Sequence, residues 1–141
     1  MTPKVGYATP MLHVDSIERS IAFYELLGFT TIDTDRARPL GWARLHCEGG
    51  ALMFLRAETP PDPAAQSILL YMYTDDLAGL REHLLGSGFE PPPIHYPEYM
   101  PSGELFLRDP DGYGVGIAHW GETEHEAWLR RIGRAPSGSA P

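Results

Sequence analysis

The chain is expected to be an α+β protein: two tandem βαβββ modules that form a concave mixed β-sheet cleft, followed by a C-terminal helix. Three observations predict the modules. Apolar spacing switches repeatedly between strand and helix periods. A proline-rich break interrupts the middle of the chain. After that break the pattern of the first half begins again. The 141 residues suit one domain with a real core.

Residues 5–14 read as the first strand. Residues 15–27 read as a helix, with Ile17, Ile21 and Tyr24 at helical spacing. Asp15 and Glu18 form a loose capping box, and Gly28 before Phe29 is a stop signal. Strands follow at 29–33, 42–48 and 51–56, the last two joined at Gly49-Gly50. Pro60, Pro61 and Pro63 make 57–66 a linker. Then 67–74 reads as a strand and 75–85 as a helix with Leu77, Leu80 and Leu84 on one face. Residues 89–95 read as a short, proline-broken strand. Strands at 104–108 and 113–119 flank the turn Asp109-Pro110-Asp111-Gly112. Asp15 and Asp75, Ile17 and Leu77, Gly28 and Gly88, and Phe29 and Phe89 are each 60 residues apart, so the second half repeats the first.

Residues 122–132 read as a helix, acidic early and basic late, as the helix dipole favours. Trp128, Leu129 and Ile132 should dock it on the body or on a partner subunit. Residues 135–141, rich in Pro, Ser and Gly, are expected to be disordered. The expected domain is 1–120, with modules at 5–58 and 66–120, and 121–141 as helix and tail.

The net charge of −8, with no basic cluster, argues against nucleic-acid or membrane partners and favours a cationic ligand. Residues 1–7 lack the apolar stretch of a signal peptide, and no apolar run reaches 18 residues. With Cys47 as the only cysteine, a cytoplasmic chain without an internal disulfide is expected, the thiol being structural.

Alternate strand residues point to opposite faces. One face collects Leu12, Val14, Ala43, Leu45, Leu70, Met72, Leu105, Leu107, Val115 and Ile117, and belongs against the helices. Ala51, Met53 and Leu55 are assigned to the same face. The other face carries His13, Trp42, Arg44, His46, Phe54, Tyr71, Tyr73, Glu104 and, in the last strand, Gly116. So many aromatic groups opposite a glycine floor point to a ligand cleft.

His13-Val14-Asp15 through Ser20, Phe23-Tyr24 and Leu27-Gly28-Phe29 resembles the opening signature of the vicinal oxygen chelate superfamily of glyoxalases, extradiol dioxygenases and bleomycin-resistance proteins. Gly103-Glu104-Leu105-Phe106-Leu107-Arg108-Asp109-Pro110-Asp111-Gly112-Tyr113 resembles its closing signature. The resemblance spans residues 7–118 and implies the fold more than the reaction. In metal-dependent members the ligands are His, Gln or Glu on the first, fourth, fifth and eighth strands. Aligning the signatures puts those positions at Thr9, Phe54, Leu69 and Gly116, none a useful metal ligand. The chain therefore looks more like the bleomycin-resistance branch, which binds its ligand without such a metal in clefts between two subunits.

Asp109 and Asp111 read as turn residues, and no HExxH, GxSxG, Walker or GxGxxG motif occurs. Glu104 could act as a general base or pair with Arg44 or Arg108. The leading expectation is a homodimeric binder, using neither metal nor cofactor, that sequesters a cationic or aromatic compound such as a bleomycin-type antibiotic. Trp42, Phe54, Tyr71 and Tyr73 would be its walls, Glu104 and His46 would orient the ligand, and Tyr96 and Tyr99 would form a rim. An alternative is a lyase, isomerase or dioxygenase with a displaced metal site at His13, His46 and Glu104. A third is a partner domain acting through the C-terminal helix.

Overall fold

The computed structural model describes residues 1–134, so the expectation for 135–141 lies outside the described residues. The chain forms two compact units: Met1–Gln66 with Asp109–Tyr113, and Ser67–Arg108 with the segment from Gly114 onward.

In the first unit, β1 (Met11–Val14), β4 (Gly50–Arg56), β3 (Trp42–Cys47) and β2 (Thr30–Thr34) lie in that order in one mixed sheet. β1 runs parallel to β4, and the other pairs are antiparallel. β1 is shorter than expected. Pro10 cannot donate a backbone hydrogen bond, and its carbonyl accepts the last available rung from Met53 N at 2.9 Å. The helix α1 (Ile17–Leu26) covers one sheet face. Its N-cap is Ser16 rather than Asp15, the hydroxyl accepting from Arg19 N. Asp15 instead donates its backbone N–H to Asp111 at 2.9 Å. At the other end Phe29 N and Gly28 N reach back to Tyr24 O and Glu25 O, a closure that needs the left-handed φ of 94° at Gly28.

The second unit repeats this plan with one strand fewer. β5 (Leu69–Thr74) runs parallel to β7 (Gly114–His119), which pairs antiparallel with β6 (Glu104–Arg108). The helix α2 (Leu77–Gly86) starts 60 residues after α1, and its cap Asp76 accepts from Gly79 N. The repeat extends to hydrogen bonds: Phe89 N bonds Leu84 O as Phe29 N bonds Tyr24 O. The strand expected at 89–95 does not form. Pro91, Pro92 and Pro93 supply no N–H groups, and only an isolated bridge from His95 to Glu104 remains. A final helix, α3 (Glu122–Arg131), docks through buried Leu129, while Ile132 is 45% exposed.

Of the observed strands whose faces the sequence assigns, parity fails only in β4. Leu52 and Phe54, not Met53 and Leu55, face the first core, because Phe54 pairs with Ala43 and Leu52 with Leu45. Phe54 is fully buried, its ring 5.2 Å from that of Tyr24. It is a core residue and leaves the set of ligand walls.

Candidate ligand-binding site

The second unit's sheet presents Leu70, Met72, Leu105, Leu107, Val115 and Ile117 on one face by strand alternation, and a different surface on the other. Register places Tyr71, Gly116 and Phe106 in one rung of that second face, and Tyr73, Ala118 and Glu104 in the next. Gly116 is where expected and is required by space. A Cβ there would stand 2.8 Å from the Tyr71 ring and 2.9 Å from that of Phe106.

Glu104 is fully buried on this face. Its carboxylate accepts from the hydroxyls of Tyr71 and Tyr99, and it lies 2.9 Å from His95 Nε2. Burial pulls the carboxyl upward, but the two hydroxyls and the imidazole outweigh it and hold the group below the usual carboxylate range. Tyr71 is pushed up by burial and by the carboxylate it serves. Tyr99 is pushed up chiefly by its bond to Glu104. Tyr99 reaches inward from the proline-rich loop while most of its ring stays exposed, and Tyr96 is exposed beside it. His95 stacks on Phe106 at 5.5 Å.

Glu104 and Arg108 share β6 and one of its faces. Arg108 lies four residues further along β6, about 13 Å away at the usual strand rise. In the first unit Arg44 donates to His46 Nε2 at 2.8 Å. On the first unit's outer face β3 contributes Trp42, Arg44 and His46, beside Met53 and Leu55 of β4 and Met11 and His13 of β1. His13 pairs opposite Leu55 and His46 opposite Ala51, so they stand about 13 Å apart along β4. They do not share a metal. Among the described residues no three His, Cys, Asp or Glu side chains are grouped to hold one. With the parity of β4 corrected, the outer face of β1 and β4 offers one imidazole, His13, with Met, Leu and Ala, and the second face of β5 and β7 offers Leu, Tyr, Gly and Ala. These residues do not fit the metal that the superfamily's enzymes use.

Sequence reasoning missed His95 and the aromatic group at α3, because both depend on loops and helix docking that strand alternation does not encode. Asp109 and Asp111 are turn residues as expected. Asp109 accepts from the Tyr24 hydroxyl at 2.7 Å and from the backbone N–H groups of Asp111 and Tyr113. Cys47 is half-buried, its thiol pushed up by burial. No helix among the described residues is long and apolar enough to cross a membrane.

The two capped helices, the mixed sheets and the closing turn define a protein class. The chain belongs to the glyoxalase/bleomycin resistance protein/dioxygenase superfamily, whose family model matches residues 6–117. Among solved structures it is similar to a bleomycin-binding protein complexed with bleomycin, with 25% identity, a TM-score of 0.67, and coverage of 83% of this chain and 100% of that one. The bleomycin resistance determinant encoded on the transposon Tn5 matches with 24% identity, a TM-score of 0.66, and coverage of 81% and 97%. The fosfomycin resistance protein FosX from Listeria monocytogenes shares the fold at 13% identity, a TM-score of 0.64, and coverage of 92% and 99%. No curated protein matches significantly.

Proposed function

We propose that this chain is a metal-independent small-molecule-binding protein, homodimeric and cytoplasmic, that sequesters a cationic or aromatic compound. One observation carries this reading. A single buried carboxylate, Glu104, is set in a sheet face beside Tyr71, Tyr73, Phe106, Gly116 and Ala118, with Leu69, Gly114 and Arg108 in the rung furthest from it. The rings offer stacking surface and π faces to a cation, and the carboxylate adds a fixed negative charge. Three donors hold that carboxylate ionised. A carboxylate held below its usual pKa is a weak proton acceptor, so the arrangement favours binding over general-base chemistry.

A bleomycin-type antibiotic is the example to try first, since the bleomycin-binding protein is similar over most of both chains. The homodimer is supported by apolar groups left in the open on the two sheets, with Met11 45%, Leu55 38%, Leu69 52% and Phe106 37% exposed. Calorimetric titration with metal-free bleomycin and a panel of aromatic cations tests the reading, with light scattering for the mass. Saturable binding at one ligand per chain, weakened about tenfold by Glu104→Gln, and a mass twice 15.7 kDa are expected. Absence of binding across the panel, or a monomer, overturns the corresponding part.

A further inference from the structure

We propose that α3 closes an aromatic box on the second unit, and that this box binds a quaternary ammonium group. It adjoins the Glu104 face and shares Tyr73 with it, but it does not depend on that face binding anything.

The box is a cavity of about 320 Å³ lined by Tyr73, Met100, Trp120, His125 and Trp128. Trp120 follows β7 directly and is fixed by its backbone N–H, which donates to Thr74 O at 2.7 Å. Three rings stand against it at steep angles: Tyr73 at 6.0 Å and 63°, Trp128 at 6.4 Å and 70°, and His125 at 6.5 Å and 75°. His125 and Trp128 lean on one another at 5.6 Å and 34° and make one wall, and Tyr73 and Trp120 make the walls that adjoin it. His125 and Trp128 are three residues apart on α3 and so lie on one side of it, next to the buried anchor Leu129.

The lining selects the chemistry of the guest. No Lys or Arg belongs to it. Behind Trp120 the Glu124 carboxylate accepts from Gly121 N at 3.1 Å and lies 3.6 Å from His119 Nε2. A negative charge is thus anchored to both chain neighbours of that indole. Indole and phenol faces attract cations. An ammonium with N–H groups would need acceptors, and the lining offers little beyond the Tyr73 hydroxyl and the His125 imidazole. A fully alkylated ammonium needs none.

Two of the three tryptophans, Trp120 and Trp128, line the box, so tryptophan fluorescence reads its occupancy. The full chain is titrated with choline and with choline's neutral tert-butyl isostere. Choline is expected to saturate the signal and the isostere to bind far more weakly. Trp128→Leu, which keeps apolar bulk but removes the π face, should weaken choline about tenfold. Ile32→Thr, at an exposed position of β2 that is no part of the lining, should leave it unchanged. Should Trp128→Leu lose its circular dichroism, Trp128→Phe is expected to retain choline binding and His125→Leu to reduce it. Equal binding of choline and the isostere, no effect of removing these rings, or no saturable signal overturns the proposal. Bleomycin titrated in parallel separates the two readings: its binding without choline binding sinks the box alone, and the reverse sinks only the Glu104 reading.

Discussion

The hydroxyl of Tyr24 donates to the Asp109 carboxylate at 2.7 Å, tying α1 to a turn 85 residues further along the chain. Both side chains are buried, with Tyr24 at 0% and Asp109 at 5% exposure. Burial and the neighbouring carboxylate push the phenol far above its ordinary value, so it remains the donor at every working pH. Tyr24→Phe leaves one Asp109 oxygen without this donor. The expected cost is about 1–3 kcal/mol, read as a lower urea midpoint with an unchanged slope.

Phe54 offers a test of its corrected place. As a core residue against Tyr24, its truncation in Phe54→Ala should cost about 3–5 kcal/mol in chemical denaturation. Phe54→Leu, which folds more readily, should bind ligand as the parent does. A selective loss of affinity in Phe54→Leu with stability intact would return Phe54 to the ligand wall.

Glu104 predicts a pH dependence with a definite sign. Its folded pKa lies below the ordinary 4.5. Its contribution to stability is therefore fully present above that value and is lost as pH falls through the lowered one. Between about pH 5 and pH 3 the parent should lose more stability than Glu104→Gln does. Urea melts across that range measure the difference, and parallel curves for the two proteins would contradict it.

At Gly116 the issue is room. In Gly116→Ala the new methyl meets Tyr71 and Phe106 at under 3 Å, so both rings must move. Overpacking of this kind costs about 1–3 kcal/mol. Because Tyr71 also serves Glu104, ligand affinity should fall as well, seen as a changed near-ultraviolet circular dichroism and a weaker titration.

Much of this architecture was legible in the sequence for identifiable reasons. The 60-residue offset worked because the same caps and the same glycine closure recur in both halves, down to Phe29 and Phe89. The parity of β3 could be read because Arg44 and His46 alternate with Ala43 and Leu45. That of β4 could not, since Ala51 through Leu55 is apolar throughout and alternation has nothing to act on; only its pairing with β3 decides. Ser16 and not Asp15 is the cap because α1 begins at Ile17, which puts the Ser16 hydroxyl within reach of Arg19 N. The partners of Glu104 were half visible. Tyr71 follows from register, while Tyr99 and His95 arrive from a proline-rich loop whose path no periodicity describes.

The turn at Asp109–Tyr113 belongs to the first unit although it is made late in the chain. It supplies the Tyr24 acceptor, the Asp111 oxygen at the start of α1, and the Tyr113 hydroxyl on His13 O at 2.7 Å. On a ribosome, where chains emerge N-terminus first, the N-terminal half has no way to complete itself while it is being made. A nascent chain stopped at residue 66 lacks each of those partners, and the first unit can lock only after residue 113 has cleared the exit tunnel. The 47 residues from 67 to 113 are made while the first unit still lacks its closing turn. A cell making this protein has to shelter an unfinished half over that interval.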